Sequence, residues 1–151
     1  MAKFIYKMEN ILNIKIKMEE QAKSTFREAM RKQEEAEEKL LELNHRRDGY
    51  ESILRGEISD TLNVQEIIRC QEAIEILKYE SKLQTIVVNS ARQQVELARA
   101  KLKEAMIEKK TYEKLKELAF EEFKKEINKA ERVEIDELVS FTYGKKQGFE
   151  E

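Results

Sequence analysis

Residues 90–138 read SARQQVELARAKLKEAMIEKKTYEKLKELAFEEFKKEINKAERVEIDEL and decide the fold. This stretch contains no Gly and no Pro, and it is rich in Ala, Leu, Glu, Lys and Arg, the residues with the strongest helix propensity. In its first half, the residues of one face recur at alternating steps of three and four: Ala91, Val95, Ala98, Leu102, Ala105, Lys109 and Tyr112. Such a heptad seam predicts a long helix that buries one narrow stripe against a second helix.

The composition of the whole chain also favours a few long helices. Of its 151 residues, 40% are charged, 4 are Gly and none is Pro, so residues that form turns are scarce. Acidic and basic residues alternate and the net charge is −2, which gives no general reason to expect nucleic acid as a partner. The single cysteine, Cys70, fits a reducing compartment. Because no signal peptide or membrane span is evident, we expect a cytoplasmic protein.

A short break in the helical pattern divides the chain. Residues 55–63, RGEISDTLN, contain Gly56, which can adopt the left-handed conformation that ends a helix. Asn63 is a good helix N-cap, and Glu66 follows it at the spacing of a capping box. We therefore expect one helix to end before this break and the next helix to begin at Val64.

The heptad pattern on both sides of the break predicts two helical arms. Arm one covers residues 4–54 and arm two covers residues 64–138, and a short turn between two long helices produces a hairpin. The predicted fold class is all-α: two long helices form an antiparallel coiled-coil hairpin with a longer C-terminal arm. We assign residues 1–141 to one domain and expect residues 142–151, which include Gly144 and Gly148, to form a flexible tail.

The unequal arms leave apolar residues without a partner in this hairpin. Folding at the turn places Leu54 opposite Val64 and Phe4 near Lys114, so that arm two continues alone beyond Leu115. The part beyond Leu115 still carries large apolar residues, including two Phe, and a surface of this kind is expected to be buried. Self-association, folding back, or insertion into a cavity of another protein would each cover it, and the residues alone do not choose among these possibilities.

No motif in the chain predicts a catalytic, cofactor-binding or metal site. His45 is the only His and follows Glu42 in an E-x-x-H spacing, whereas the di-metal centre of a helix bundle needs two such motifs and further carboxylates. The run from His45 to Asp48 is similar to a kinase catalytic loop, but it lies in a helical pattern without a Gly-rich loop or D-F-G. No phosphate-binding loop is present, and Cys70 lacks the partners of a catalytic triad. We expect a protein that is not an enzyme.

Several segments, in order along nearly the whole chain, carry a resemblance to a known family. They are the start F-x-Y-x-M-x-x-I-L at 4–12, the segment AEEKL at 36–40 with Tyr50 and Leu54, Cys70-Gln71 with Ile74 to Leu77, and the ending ERVEIDEL at 131–138. Together they resemble the FliJ family, the small coiled-coil component of the bacterial flagellar type III export apparatus.

The resemblance implies an antiparallel coiled coil similar to the central stalk of rotary ATPases. A protein of this kind inserts into the ring of the export ATPase FliI, promotes ring assembly and activity, and links the ring to the export gate protein FlhA. It also acts as an escort for export chaperones. The implied location is cytoplasmic, at the cytoplasmic face of the inner membrane, with contact to the membrane only through partners.

The resemblance and the unequal arms together suggest two contact surfaces. The candidate contacts to the ATPase ring lie at the open ends of the arms and are Phe4, Met8, Phe120, Phe123 and Ile127. The candidate contacts to the export gate lie near the turn and are Leu43, Arg46, Tyr50, Ala73, Leu77 and Glu80.

Two alternatives belong to a different functional class. The chain is also compatible with a homo-oligomeric structural coiled coil, which would self-associate tightly without an ATPase partner. A prefoldin-like chaperone is a second alternative, but it needs a β-hairpin platform between the arms, and residues 55–63 are too few to supply one. A coiled coil that binds nucleic acid is disfavoured by the mixed charges.

Overall fold

The computed structural model describes residues 3–57 and 61–150, with side chains as far as residue 144, and shows two helices. Helix α1 is Glu9–Leu54 and helix α2 is Val64–Glu150. No strand occurs within the described residues. The predicted all-α class with a longer second helix is therefore confirmed.

The end of α1 is set by Gly56, as predicted. Gly56 has a φ of 77°, in the left-handed region that is accessible to Gly without a steric penalty. Its N–H donates to the carbonyl of Ile53 at 3.1 Å, and the N–H of Glu57 donates to the carbonyl of Ser52 at 3.2 Å. These two bonds form a Schellman motif, which satisfies carbonyls that the helix end would otherwise leave without donors.

The start of α2 is set by the predicted N-cap, Asn63, whose side chain bonds to both the backbone and the side chain of Glu66. The N–H of Glu66 donates to Asn63 Oδ1 at 2.8 Å, and Asn63 Nδ2 donates to Glu66 Oε1 at 3.5 Å. The predicted turn residues Ser59 and Asp60 lie outside the described residues, as does Ile58. Both helix boundaries around the break thus follow from local side-chain and backbone chemistry.

The outer ends of the helices differ from the predicted arms. Helix α1 begins at Glu9 and not at Phe4, because residues 3–6 have no regular structure. Helix α2 continues beyond Leu138 to Glu150. The chain contains no Pro, so Gly144 and Gly148 are the only strong helix breakers in its last turns, and each costs about 1 kcal/mol relative to Ala.

The chain divides into two compact units, which are described separately. Unit 2, residues 20–104, contains most of the buried side chains. Here α1 and α2 lie antiparallel: Gln84 Nε2 donates to the carbonyl of Ala36 at 2.9 Å, and Arg92 pairs with Glu37 at 3.1 Å. The buried residues of this unit repeat at heptad spacing: Ala36, Leu43, Cys70, Ile74, Leu77, Ser81, Gln84, Val88, Val95 and Ala98.

Unit 1, residues 1–19 and 105–151, is held together by ion pairs as much as by apolar contact. Its buried residues include Leu12 and, one heptad later, Glu19. Glu19 Oε2 lies 2.7 Å from the ammonium group of Lys109, which the sequence already placed in the seam of α2. Further ion pairs join the two helices at both ends of this unit: Lys15 with Glu108 at 2.9 Å, and Glu9 with Lys116 at 2.9 Å.

The position of Phe4 in unit 1 differs from the predicted one. Phe4 was expected near Lys114, but its ring contacts Phe120 and Phe123, with centroid distances of 5.1 and 5.4 Å. The prediction assumed that arm one is helical from Phe4, whereas residues 3–6 are not helical. A helix advances only about 1.5 Å per residue and a non-helical segment can advance about 3.3 Å, so Phe4 reaches further along α2 than a helical arm would.

Two glycines allow a direct test of local backbone requirements. Gly49 lies within α1 at a position with nothing within 4 Å of an added Cβ, so Gly49→Ala is expected to raise the free energy of unfolding by about 0.5–1 kcal/mol. Gly56→Ala is expected to lower it by about 1 kcal/mol, because Ala is strained at a positive φ. Urea unfolding of both variants would measure the difference, and equal effects of the same sign would contradict the assignment.

Candidate functional site

Three of the five predicted ATPase-ring residues form one cluster in unit 1. Phe4 meets Phe120 edge to face and Phe123 at a tilt, both within the range of favourable aromatic pairs. Phe4 and Phe123 are half-buried, whereas 39% of Phe120 is exposed. The ammonium group of Lys124 lies 4.7 Å from the centroid of the Phe120 ring. We call Phe4, Phe120 and Phe123 the aromatic cluster.

The other two predicted ring residues lie close to this cluster along the chain. Met8 directly precedes α1, is exposed, and accepts a hydrogen bond through its carbonyl from the N–H of Leu12 at 2.9 Å. Ile127 is half-buried and follows Phe123 by one turn of α2, so both residues lie on the same face of the helix. Unit 1 thus offers an aromatic and aliphatic surface that is only partly covered.

The part of α2 beyond Ile127 is exposed along its whole described length. We call residues 131–143 the C-terminal segment, and every one of them is exposed. Its large apolar side chains have exposed fractions of 52–68%: Val133, Ile135, Leu138, Val139, Phe141 and Tyr143. The sequence predicted apolar residues without a partner as far as Leu138. It did not predict that the helix continues beyond Leu138 and includes Val139, Phe141 and Tyr143.

The predicted export-gate residues lie in unit 2 and have very different exposures. Leu43 and Leu77 are buried in the seam, and Tyr50 and Ala73 are half-buried. Arg46 and Glu80 are exposed. All six residues were predicted as gate contacts from their position near the turn, but Leu43 and Leu77 pack inside the hairpin and are not presented to a partner.

A row of exposed apolar residues on α2 was missed by the sequence analysis. Ile76, Tyr79, Leu83 and Ile86 follow each other at steps of three, four and three, and each is about half exposed or more. They have the same spacing as the buried seam but lie on the opposite side of the helix. We call these four residues the second seam. The signal was present in the sequence, but the stronger seam through Ile74 and Leu77 concealed it.

Among the ionisable groups of unit 2, Glu37 takes part in hydrogen bonds within and between the two helices. Side-chain hydrogen bonds from Gln33 and Arg92 hold the pKa of Glu37 below its usual value. No group of three or more His, Cys, Asp or Glu side chains in the described part of the chain is arranged to hold a metal ion. Neither helix, over its described residues, contains a stretch long and apolar enough to cross a membrane.

Comparison with solved structures supports the fold. The chain is similar to the structure of a putative YscO homologue, CT670, from Chlamydia trachomatis, with a TM-score of 0.69 and 23% sequence identity. The match covers 93% of this chain and 96% of the other. No relative among the curated proteins matches the chain.

Comparison with protein families shows to which family the chain belongs. The model of the family described as flagellar FliJ protein matches residues 4–148, nearly the full length. The match includes both helices, the break between them and the C-terminal segment. The chain therefore belongs to the FliJ family and is a component of the flagellar type III export apparatus.

Proposed function

We propose that the chain is a non-enzymatic part of the export apparatus that inserts unit 1 into the ring of the export ATPase FliI. In this role it promotes assembly and activity of the ring, links the ring to the export gate protein FlhA, and meets export chaperones. The observation that carries the proposal is the aromatic cluster, which lies beside a C-terminal segment of exposed apolar side chains. The protein acts at the cytoplasmic face of the inner membrane.

The surface chemistry of unit 1 suits burial inside another protein. Phe120 and Met8 are more than one-third exposed, and the C-terminal segment adds six large apolar side chains. Contiguous apolar surface of this kind marks protein-binding sites in soluble proteins. Aromatic side chains also contribute most strongly to binding when they enter a pocket of the partner. A ring of subunits around this end would provide such a pocket.

The contact to the export gate is assigned to the outward side of unit 2. Arg46 and Glu80 remain candidates because they are exposed. The second seam extends this surface along α2 with four apolar side chains. Their spacing of three and four residues is the spacing by which one face of a helix docks on another surface. Leu43 and Leu77 support this surface from inside the hairpin and are not part of it.

The effect of this chain on the export ATPase tests the ring proposal. The wild-type chain is expected to raise the ATPase rate and to increase the amount of ring that sediments. In Phe120→Ala/Phe123→Ala, loss of two interface rings is expected to remove at least about 2 kcal/mol of binding free energy, which raises the concentration for half-maximal stimulation roughly thirtyfold. Circular dichroism would establish that the variant is still helical.

The matched control is Tyr6→Phe. Tyr6 donates to the carbonyl of Tyr112 at 3.3 Å in the same unit, so this variant loosens the end of the hairpin but keeps every ring. It is expected to stimulate the ATPase like the wild type. If the double variant stimulates as well as the control, the aromatic cluster does not contact the ring. If the wild type has no effect on the ATPase rate and sediments as a tight oligomer, the alternative of a homo-oligomeric structural coiled coil is favoured.

A further inference from the structure

A long groove runs along one side of unit 2 between α1 and α2. Its volume is about 1130 Å³, and the small side chains of Ala29, Ala36, Ala91 and Ala98 form its floor. Val87 and Leu97, each at least half exposed, contribute an apolar wall. Small residues on two adjacent helices let the backbone of a third helix approach closely, so the shape of the groove fits a helix.

The rim of the groove is basic. Lys32 and Lys39 of α1 and Lys101 of α2 line it and are exposed. The two acidic residues on the same rim, Glu28 and Glu35, are both paired with the guanidinium of Arg31. Hydrogen bonding and charge from Arg31 hold the pKa of Glu28 below its usual value. With three Lys, Arg31 and two Glu, the rim carries a net charge of +2, so a ligand that lies in the groove faces positive charge.

The C-terminal segment has the complementary properties. It contains four acidic residues, Glu131, Glu134, Asp136 and Glu137, and one basic residue, Arg132. Ile135, Leu138 and Val139 are exposed at helix positions i, i+3 and i+4, which places them on one face. Its 13 residues span about 20 Å as a helix, close to the length of α1 between Thr25 and Lys39 at the groove.

From this complementarity we infer that the C-terminal segment of one molecule docks into the groove of a second copy of the chain. Ile135, Leu138 and Val139 then lie over the alanine floor, and Glu134 and Asp136, which flank this face of the helix on either side, lie beside the basic rim. The contact joins two different surfaces, so it is heterologous, and the mass of the assembly rises with concentration. A single short helix in a groove is at the small end of specific interfaces, and the association is weak.

The inference does not depend on the export partners proposed above, but it involves one of the surfaces that we assign to them. The C-terminal segment is also part of the surface that we assign to the ATPase ring. Self-docking and insertion into the ring therefore exclude each other for any one molecule. Self-docking covers the exposed apolar residues of the segment while the ring partner is absent.

Sedimentation equilibrium of the full chain, from micromolar to millimolar concentration, tests the inference. The wild type is expected to show a mass that rises with concentration and falls with added salt, because screening weakens the charge pairs. Lys32→Glu/Lys39→Glu reverses the rim charge, and Glu134→Lys/Asp136→Lys reverses the charge on the flanks of the segment. Each variant alone is expected to weaken self-association at least tenfold. An equimolar mixture of the two variants is expected to restore association, because the two reversed surfaces attract each other and the two unaltered surfaces still form the wild-type contact.

The matched control is Lys82→Glu/Lys103→Glu, which makes the same charge change in unit 2 on residues that do not line the groove. It is expected to associate within twofold of the wild type and not to bind Glu134→Lys/Asp136→Lys more tightly than the wild type does. Leu138→Ser, at an exposed position, tests the apolar contact without changing charge and is expected to weaken association at least tenfold. A wild type that stays monomeric up to millimolar concentration, or equal loss in the groove and control variants, would overturn the inference.

Discussion

Val88→Asp is expected to lower the free energy of unfolding by at least about 4 kcal/mol at neutral pH, whereas Val87→Asp is expected to change it by no more than about 0.5 kcal/mol. The two valines are neighbours in α2 with opposite environments: Val88 is 2% exposed and Val87 is 50% exposed. A carboxylate at residue 88 has to leave water for the seam of unit 2, but a carboxylate at residue 87 stays hydrated. Urea unfolding followed by far-UV circular dichroism would measure both changes.

The pH dependence of the stability of Val88→Asp identifies the cause of its destabilisation. Burial raises the pKa of an unpaired carboxyl above its value in the unfolded chain. The destabilisation is therefore largest above the folded-state pKa, and most of it disappears as the pH falls below the unfolded-state value, since a neutral carboxyl is less costly to bury. A loss of stability that does not change with pH would indicate a steric cause.

Leu77→Ala is expected to lower the free energy of unfolding by about 3 kcal/mol, with no more than about 0.5 kcal/mol for the matched control Leu83→Ala. Leu77 is 4% exposed in the buried seam, and Leu83, on the same helix, is 47% exposed in the second seam. Truncation at residue 77 leaves a cavity that two long helices cannot fill without changing their separation. Thermal and urea unfolding would give both values.

The same pair of variants separates support of the gate surface from contact with the gate. If the second seam binds FlhA, Leu83→Ala is expected to weaken gate binding at unchanged stability. Leu77→Ala is expected to weaken binding only to the extent that it unfolds the hairpin, so the loss should be recovered at lower temperature. Normal gate binding by Leu83→Ala, Tyr79→Ala and Ile76→Ala would exclude the second seam as the contact.

Most of the fold could be predicted because its determinants are local. The heptad seam through Val88 and Val95 indicates which face of α2 is buried, and Gly56 and Asn63 set the helix ends on either side of the break. Each of these signals depends on residues within a few positions of each other along the chain. A single sequence is sufficient to recognise signals of this kind.

The features that were missed depend on contacts between distant residues. Phe4 meets Phe120 because residues 3–6 are not helical, and the apolar pattern of arm one did not reveal that α1 begins only at Glu9. Glu19 is buried although it is charged, and its burial is tolerable because Lys109 lies opposite. Only the pairing of the two helices shows that these two charges meet. The candidate surfaces were likewise predicted from position along the chain, whereas exposure shows which of their residues face outward.

The contacts within the two units differ greatly in sequence separation. Gln84 and Ala36 in unit 2 are 48 residues apart, whereas Tyr6 and Tyr112 in unit 1 are 106 residues apart. Closing the longer loop from the unfolded chain costs roughly 0.6 kcal/mol more in entropy, but the difference vanishes once the contacts near the turn have formed. Contacts near the turn are therefore expected to form first during folding. The contacts of unit 1, the part proposed to enter the ATPase ring, are expected to form last and to open first.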